Sequence, residues 1–361
     1  MLVRTELLVF VMLSGGVVTP AQAEVHQEAG EAGGFWRVEI GNDAFLKEDS
    51  NFTSGLSIQF FDDLRAADGE NFGSGNAFNW PLRWVAGSRK SGWIREGYAV
   101  GQLLVTPGDL QAETWEEGEL PYGSTLTLSK IWQFFNEEEQ RALQLTAGVL
   151  GDESAGGRIQ DFVHSKLGLG QSPEGWDTQR ETELLLNLAI QYKRKLWRWG
   201  VRQNDWSGSL LVASGGQFGN LMTGLDTSVA LRWGWNLPVG FSPEPAPPGV
   251  GIADGGFAPL DEGASSQSLE FDLSLGANWI AYSVIYDGSM LTSDDRKVER
   301  KPGIVSLGIT TSYQIRNRFT LRVGLVFSSP LLENIHADVI SNGSETRRDV
   351  SYGSIVIEIP L

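Results

Sequence analysis

The chain has 361 residues, no cysteine and a formal net charge of -17, from 45 acidic and 28 basic side chains. The absence of cysteine excludes a disulfide framework, a thiol nucleophile and a cysteine-ligated metal. The acidic balance argues against a nucleic-acid partner, because phosphate binding requires clustered lysine and arginine.

The first 23 residues are predicted to be a secretory signal peptide. Arg4 precedes an apolar run over residues 7–13, and residues 21–23 have the small-residue pattern Ala-Gln-Ala that precedes signal cleavage. Cleavage after this pattern leaves residues 24–361 as one domain. That part has no apolar run near the roughly 20 residues that a membrane-spanning helix needs. A helical membrane protein is therefore excluded, whereas a β-barrel in a membrane is not.

Apolar residues recur at every second position along the rest of the chain, as strands of a sheet with two unlike faces require. The other face carries Gly, Ser, Thr, Gln, Arg and Glu, which suits a polar interior. Twelve strands are predicted in this way when 268–285 is counted as one: 35–42, 53–61, 98–106, 124–134, 143–149, 184–192, 208–214, 226–234, 268–285, 304–313, 319–327 and 352–361.

The strand pattern favours an all-β, transmembrane antiparallel β-barrel in a bacterial outer membrane over a soluble sandwich or propeller. Aromatic residues such as Trp132, Trp235 and Phe319 gather near predicted strand ends, as in the aromatic girdles of such barrels. With a periplasmic N-terminus, the connections 135–140 and 315–318 are short periplasmic turns, and the long connections 151–181, 286–303 and 329–350 are extracellular loops. The connections 63–97 and 236–267 are longer than periplasmic turns should be.

The hairpin formed by the first two strands carries a candidate calcium site. Alternation along the first strand puts Asp43 on the polar face, and alternation along the second puts Thr53 and Gly55 there. A carboxylate beside backbone carbonyls and an amide side chain forms a hard-oxygen environment, which suits calcium better than zinc. An ordinary acidic turn has the same composition.

A candidate general base lies in the longest predicted extracellular loop. His164 falls in a stretch with helical character, four residues after Gln160, so a helix places both on one face. Histidine is suited to proton transfer near neutral pH. A loop histidine without a role is the alternative. The other two histidines, His26 and His336, lie before the first strand and in another loop.

Taken together, these clusters resemble the LpxR-type outer-membrane lipid A 3'-O-deacylase family. The resemblance is carried by the run Asn42 to Gly55, by Gln160 with His164, and by the pattern from Pro173 through Gly175, Trp176, Asp177 and Gln179 to Glu183. Segments 101–110 and 285–291 add to it.

This resemblance implies a twelve-stranded barrel with a calcium-dependent esterase site at its extracellular rim, facing the outer leaflet, with lipopolysaccharide as substrate. It implies that His164 is the general base, that Asn42 stabilises the oxyanion, and that Gln160 and Glu183 orient the histidine or the water. The implied Ca²⁺ ligands are Asp43, Thr53 and Gly55.

Two other functions remain open from the sequence. An outer-membrane phospholipase would share calcium and a rim site, but its chemistry normally uses a serine nucleophile, for which Ser165 beside His164 is poorly placed on a helix. A porin or structural barrel without activity would have a similar polar interior. The sequence predicts contact with outer-membrane lipids, and it leaves a monomer and a dimer equally open.

Overall fold

A computed structural model describes residues 33–46, 54–67, 80–87, 92–107, 110–167, 173–200, 203–241, 265–332 and 349–361, with the backbone alone described for 44 and 162–167. The predicted signal peptide and Thr53, His26 and His336 lie outside the described residues.

The described chain is dominated by long antiparallel strands that follow the alternating sequence pattern. The strands are β1 (Phe35–Asn42), β2 (Ser54–Phe61), β3 (Arg65–Ala66), β4 (Trp93–Val105), β5 (Gly123–Phe135), β6 (Glu139–Leu150), β7 (Glu183–Gly200), β8 (Trp206–Gly219), β9 (Met222–Trp235), β10 (Gln267–Ser283), β11 (Gly303–Ile315), β12 (Phe319–Ser328) and β13 (Tyr352–Pro360).

These strands form one closed barrel. Each strand from β4 to β13 pairs with the next, β13 pairs with β1, β1 with β2, and β2 with β4. The two-residue strand β3 only extends the edge of β4, so the wall has twelve strands. The predicted barrel is confirmed, and the sandwich and the propeller are excluded, since a single sheet closes on itself.

The two ends of the barrel differ in their connections. We call the end where Phe35 pairs with Pro360 the terminal end, and the opposite end the loop end. The short turns 136–138 and 316–318 lie at the terminal end, and the long connections 151–182, 284–302 and 329–351 lie at the loop end. This arrangement agrees with the predicted distribution of turns and loops.

Alternation along each strand separates an outward apolar face from an inward polar one. In β7, Leu184 and Leu186 are exposed on the outer wall, whereas Asn187 and Gln191 are buried in the lumen. A barrel in a bilayer needs this division, because the outer wall meets hydrocarbon and the interior can hold polar groups.

The lumen is filled at both ends. At the loop end, inward residues of several strands join the loop residues in one apolar cluster, which includes Leu103, Leu185, Val284 and Leu331. Nearer the terminal end, Arg37 Nη2 lies 2.7 Å from Glu358 Oε1. Among the described residues, the barrel interior therefore holds apolar side chains at the loop end and a buried ion pair nearer the terminal end.

Part of a long connection adds to this filling from the terminal end. Phe241 packs against the inward Phe135 and Leu211, and the guanidinium of Arg232 donates to the carbonyl of Gly240. The stretch 237–241 therefore enters the barrel, which accounts for part of the long 236–267 connection.

Three α-helices lie among the described residues: α1 (Trp80–Ala86), α2 (Gly156–Leu167) and α3 (Val284–Asp287). Within the described ranges, no helix is long and apolar enough to cross a membrane. The predicted strand 268–285 ends at Ser283, because the chain turns into α3 there. The unexplained connection 63–97 contains β3 and α1.

Candidate functional site on the outer wall

Five residues at the loop end form a row across neighbouring strands on the outside of the barrel. Gly353 pairs with Asn42, Asn42 with Ser54, Ser54 with Leu104, and Leu104 with Ser124. Register partners in a sheet point to the same face. All five share the face of the exposed apolar residues of their strands, so they form an outward strip, which we call the outer strip.

A short 3-10 helix, Asp43–Leu46, covers one end of the outer strip. Phe45 packs onto Gly353 so closely that a Cβ at Gly353 would lie 2.6 Å from the Cβ of Phe45. The helix therefore lies over the outer face of β13. The glycine permits this approach because it has no side chain.

Asp43 begins this short helix and is buried, with 2% of its surface exposed. Continuing the strand alternation had predicted Asp43 on the inward polar face. Since β1 ends at Asn42, the alternation stops one residue before Asp43, and the face on which Asp43 lies stays a prediction. The neighbouring Asn42 lies on the outward face and belongs to the outer strip, directly before this short helix.

Helix α2 covers the other end of the outer strip. A Cβ on Gly156, its first residue, would overlap the side chain of Ser124 and lie 2.8 Å from Leu104 Cδ2. Just before the helix, the carbonyl of Ser154 accepts a hydrogen bond of 3.0 Å from Gln102 Nε2. The predicted helix is confirmed, and these contacts attach its first turn to the outer wall.

We expect Gly156→Ala to lower activity while leaving the barrel folded. The added methyl group meets the β5 side chain of Ser124, so α2 must shift, and overpacking of this kind costs about 1–3 kcal/mol locally. A shift of about 1 Å in a helix that carries the predicted general base can reduce the rate about 100-fold. Heat-modifiable gel migration reports barrel folding, and the rate of the ester hydrolysis that the sequence resemblance implies reports the site.

The matched control is Gly303→Ala at the start of β11, where the nearest atom to a new Cβ is the Asn278 carbonyl oxygen at 3.4 Å. This variant should retain full activity. Equal activity of both variants would show that the close packing of α2 on β5 is not important for the site.

Gln160 is held in a defined orientation within α2. Its Oε1 accepts a hydrogen bond of 2.7 Å from Trp176 Nε1, and the side chain is 3% exposed. Trp176 in turn packs against Tyr122, with ring centroids 5.1 Å apart, and the Tyr122 hydroxyl donates to the carbonyl of Leu110. Among the described residues Gln160 Nε2 has no hydrogen-bond partner. Trp176 therefore occupies the amide oxygen of Gln160, and the amide nitrogen remains available to donate a hydrogen bond.

His164 lies one turn beyond Gln160 in the same helix. Residues four apart on a helix share a face, so the backbone puts both residues on one side of α2. Since only the backbone of this residue is described, its role as general base stays a prediction.

Glu183 lies on the inward face of β7, as alternation predicts, and not on the outer strip. One carboxylate oxygen accepts a hydrogen bond of 2.7 Å from Asn220 Nδ2, and the other is bonded to the Ser289 hydroxyl. The structure therefore does not place Glu183 on the face that carries Asn42 and the start of α2. In this position it links three loop-end segments.

The oxygen donors of Asn42 and Asp43 are compatible with a hard cation, but they do not make a complete set of ligands. Among the described residues, no three His, Asp or Glu side chains lie together as a metal cluster. Asp43 supplies a buried carboxylate and Asn42 an amide, both oxygen donors of the kind calcium prefers. Gly55 pairs with Gly41 on one side and Leu103 on the other, so its carbonyl is directed toward a neighbouring strand.

An ion-pair cluster that the sequence patterns did not indicate joins two loops at the loop end. Asp294 Oδ2 lies 2.7 Å from Arg296 Nη2, and the same guanidinium group donates to the carbonyls of Thr178 and Gln179. Arg180 Nη1 lies 3.6 Å from Asp294 Oδ1. These bonds attach the 284–302 loop to the segment that follows Trp176.

We expect acid to loosen this attachment. Burial raises the pKa of Asp294, but the hydrogen bonds and charges of Arg296 and Arg180 outweigh it, so the pKa lies below the ordinary 3.8. A lowered pKa in the folded state means that the stabilisation is complete above pH 3.8 and is lost as the pH falls through the lowered value. Amide exchange in 284–302 should therefore accelerate only below about pH 4.

Asp294→Asn should produce the same loosening at neutral pH, because Arg180 would remain buried without its carboxylate, at a local cost of about 3 kcal/mol. Asp295→Asn is the matched control, since Asp295 is exposed. Equal exchange rates in the two variants would contradict the assignment of the cluster.

On the side of the outer strip that faces the terminal end, the wall becomes apolar and exposed. The next outward row includes Ile40 and Leu56, which are 45% and 39% exposed. On the outer wall of a membrane barrel such residues face lipid. The outer strip therefore lies at the border of the lipid-facing surface, between the Asp43–Leu46 helix and α2.

A family model described as "Outer membrane protein LpxR" matches residues 7–344. No curated protein matches the sequence.

Among solved structures, LpxR from Salmonella typhimurium matches with a TM-score of 0.67 and 11% identity, over 91% of this chain and 100% of that chain. The β domain of the Bordetella autotransporter BrkA matches with a TM-score of 0.42 and 9% identity, over 91% of this chain and 99% of that chain. The Salmonella structure shows the same fold, and the Bordetella likeness is too low to support an argument.

Proposed function

Because this chain belongs to the family of outer membrane protein LpxR, we propose that it is an outer-membrane lipid A deacylase. In this proposal it hydrolyses the ester that holds the 3'-O-linked acyloxyacyl chain of lipopolysaccharide, with calcium and a histidine base. The loop end faces the cell exterior, and the substrate lies in the outer leaflet beside the wall.

The position of the outer strip is the observation that carries this proposal. A lipid ester lies near the boundary between acyl chains and sugars, and the outer strip lies where exposed Ile40 and Leu56 give way to Asn42 and Ser54. Acyl chains can rest on the apolar wall while the ester reaches the polar row. A soluble substrate would have no reason to be recognised on the outside of a membrane barrel.

The proposed chemistry uses water as the nucleophile. His164 accepts a proton from water as the water oxygen attacks the ester carbonyl carbon. When the bond between the carbonyl carbon and the sugar oxygen breaks, His164 returns this proton to the sugar oxygen. Asn42 donates to the carbonyl oxygen as it becomes negative. A calcium ion held by Asp43 would supply Lewis-acid polarisation of the same oxygen.

Gln160 has a supporting role in this proposal. Since Trp176 Nε1 occupies Gln160 Oε1, the amide N–H groups of Gln160 remain available to donate. We infer that Gln160 donates to the histidine, the water or the substrate. Glu183, bonded to Asn220 and Ser289 on the inward face, acts on the loop-end structure rather than on the histidine or the water.

Mass spectrometry of lipid A tests the proposal directly. Purified, refolded protein is incubated with lipopolysaccharide in calcium, and a second sample contains a chelator. A calcium-dependent loss of the mass of the 3'-acyloxyacyl chain is the expected result. Intact lipid A with a folded barrel would contradict the proposed function, and release of fatty acid from phospholipid instead would indicate a phospholipase.

A further inference from the structure

Helix α1 is a short amphipathic helix on the outside of the barrel at the terminal end. Pro81 stands in its first turn, where its fixed φ favours a helix. The helix ends at Ala86 and is followed by Gly87, whose φ is 62° and whose N–H donates to the carbonyl of Arg83. A left-handed residue of this kind ends many helices, and glycine adopts it without strain. The local sequence therefore specifies both ends of the helix.

One face of α1 is packed against the outer wall. Leu82, Val85 and Ala86 form a buried cluster with one residue from each of four neighbouring wall segments: Ala67 after β3, Ile94 of β4, Phe134 of β5 and Leu143 of β6. The three strand residues all point outward. Phe134 and Ile94 are register partners and so share a face, and Leu143 shares its face with Leu145, two positions further along β6, which is 43% exposed. The helix therefore lies outside the barrel rather than in its lumen.

The opposite face of α1 presents two tryptophans to the surroundings. Trp80 and Trp84 are 63% and 54% exposed, and their spacing of four places them on one side of the helix. Exposed Arg83 lies between them in the sequence. Tryptophan with arginine on a helix that lies flat is typical of the interface between acyl chains and lipid headgroups.

The helix is continuous with the lipid-facing wall. Leu143 is buried under α1, whereas Leu145 on the same face is exposed, and two residues of a strand span only about 7 Å. The exposed Leu128 and Leu188 lie on the same outward face of the adjoining strands. The tryptophan face of α1 thus lies at the edge of the hydrocarbon surface.

We propose that α1 is an interfacial anchor, whose Trp80 and Trp84 insert among the glycerophospholipid headgroups of the leaflet at the terminal end. This leaflet is opposite to the one that carries the outer strip. The anchor fixes how deeply the barrel sits in the bilayer, and with it the height of the outer strip.

The chain has no cysteine, so a single introduced cysteine can carry a nitroxide label that reports membrane depth. The labelled variants are Trp84→Cys on α1, Leu128→Cys on the lipid-facing wall and Glu137→Cys in the turn after β5. Each is refolded into phosphatidylethanolamine and phosphatidylglycerol vesicles, and barrel folding is checked by heat-modifiable migration. Collision rates are measured with oxygen, which enters hydrocarbon, and with a neutral nickel chelate, which stays in water.

The proposal predicts that the label at position 84 has an oxygen-to-nickel ratio between those of the wall and turn labels. A ratio equal to that at position 137 would show that the helix lies in water, and low collision rates with both reagents would show a protein contact. Either result overturns the proposal. Trp80→Cys, labelled in the same way, gives an independent reading if the first variant folds poorly. The readout does not involve deacylation, so it is separate from the proposed function.

Discussion

Replacing His164 by alanine is expected to reduce lipid A deacylation at least 100-fold, since general base catalysis typically contributes about 10²–10⁴-fold. The backbone of α2 places this residue one turn beyond Gln160, on the helix whose first turn packs on the outer wall. The barrel should fold normally, because residues 162–167 follow the helical turn that contacts the strands. Lipid A mass spectra over time give the rate, and heat-modifiable migration gives the folded fraction.

The adjacent residue provides a matched control. Ser165→Ala should retain full activity, because adjacent residues on a helix point about 100° apart and the proposed nucleophile is water. Loss of activity in Ser165→Ala together with His164→Ala would instead indicate a serine nucleophile. Full activity in His164→Ala would contradict the proposed mechanism.

Replacing Asp43 by asparagine is expected to lower activity about 100-fold or more at low calcium, because the site would lose its one assigned carboxylate and with it the charge stabilisation of the oxyanion. The carboxylate is 2% exposed, so an isosteric amide keeps the packing while removing the charge. Calcium titrations of the deacylation rate should show a higher requirement for the ion, or no response to it.

Asp152→Asn is the control, since Asp152 is an exposed carboxylate near the start of α2, and the net charge changes by the same amount. It should leave the calcium titration unchanged. An unchanged titration in Asp43→Asn would show that the buried carboxylate is not a ligand. Activity in chelator, equal to that in calcium, would remove the metal from the proposal altogether.

The barrel could be predicted from the sequence because the pattern that specifies each strand lies within the residues of that strand. A period of two along a strand decides which residues face lipid, and this was sufficient to locate each of the twelve wall strands, including β7 with its outward Leu184 and Leu186. Helix α2 was also predicted, since its apolar spacing is local. The family could also be predicted from the sequence, because the resemblance depends only on the identity and spacing of residues from Asn42 to Gly55 and around Gln160.

Local patterns failed where the chain leaves regular structure or where distant segments meet. Alternation stops being informative at Asp43, since a 3-10 helix begins there. Helix α1 was missed, although Pro81, Gly87 and the spacing of Trp80 and Trp84 are signals that a search for short amphipathic helices would find.

The sequence by itself determined the barrel, its two faces and the set of candidate residues. Only the tertiary structure decided that Asn42 and α2 lie on the outside of the wall, and that Glu183 bonds inward to Asn220 and Ser289, which are 37 and 106 residues away in sequence. The physical reason is that the faces of a strand depend on its own residues. The surface on which a helix packs, or the partner of a carboxylate, depends instead on complementary side chains that the closed sheet brings together.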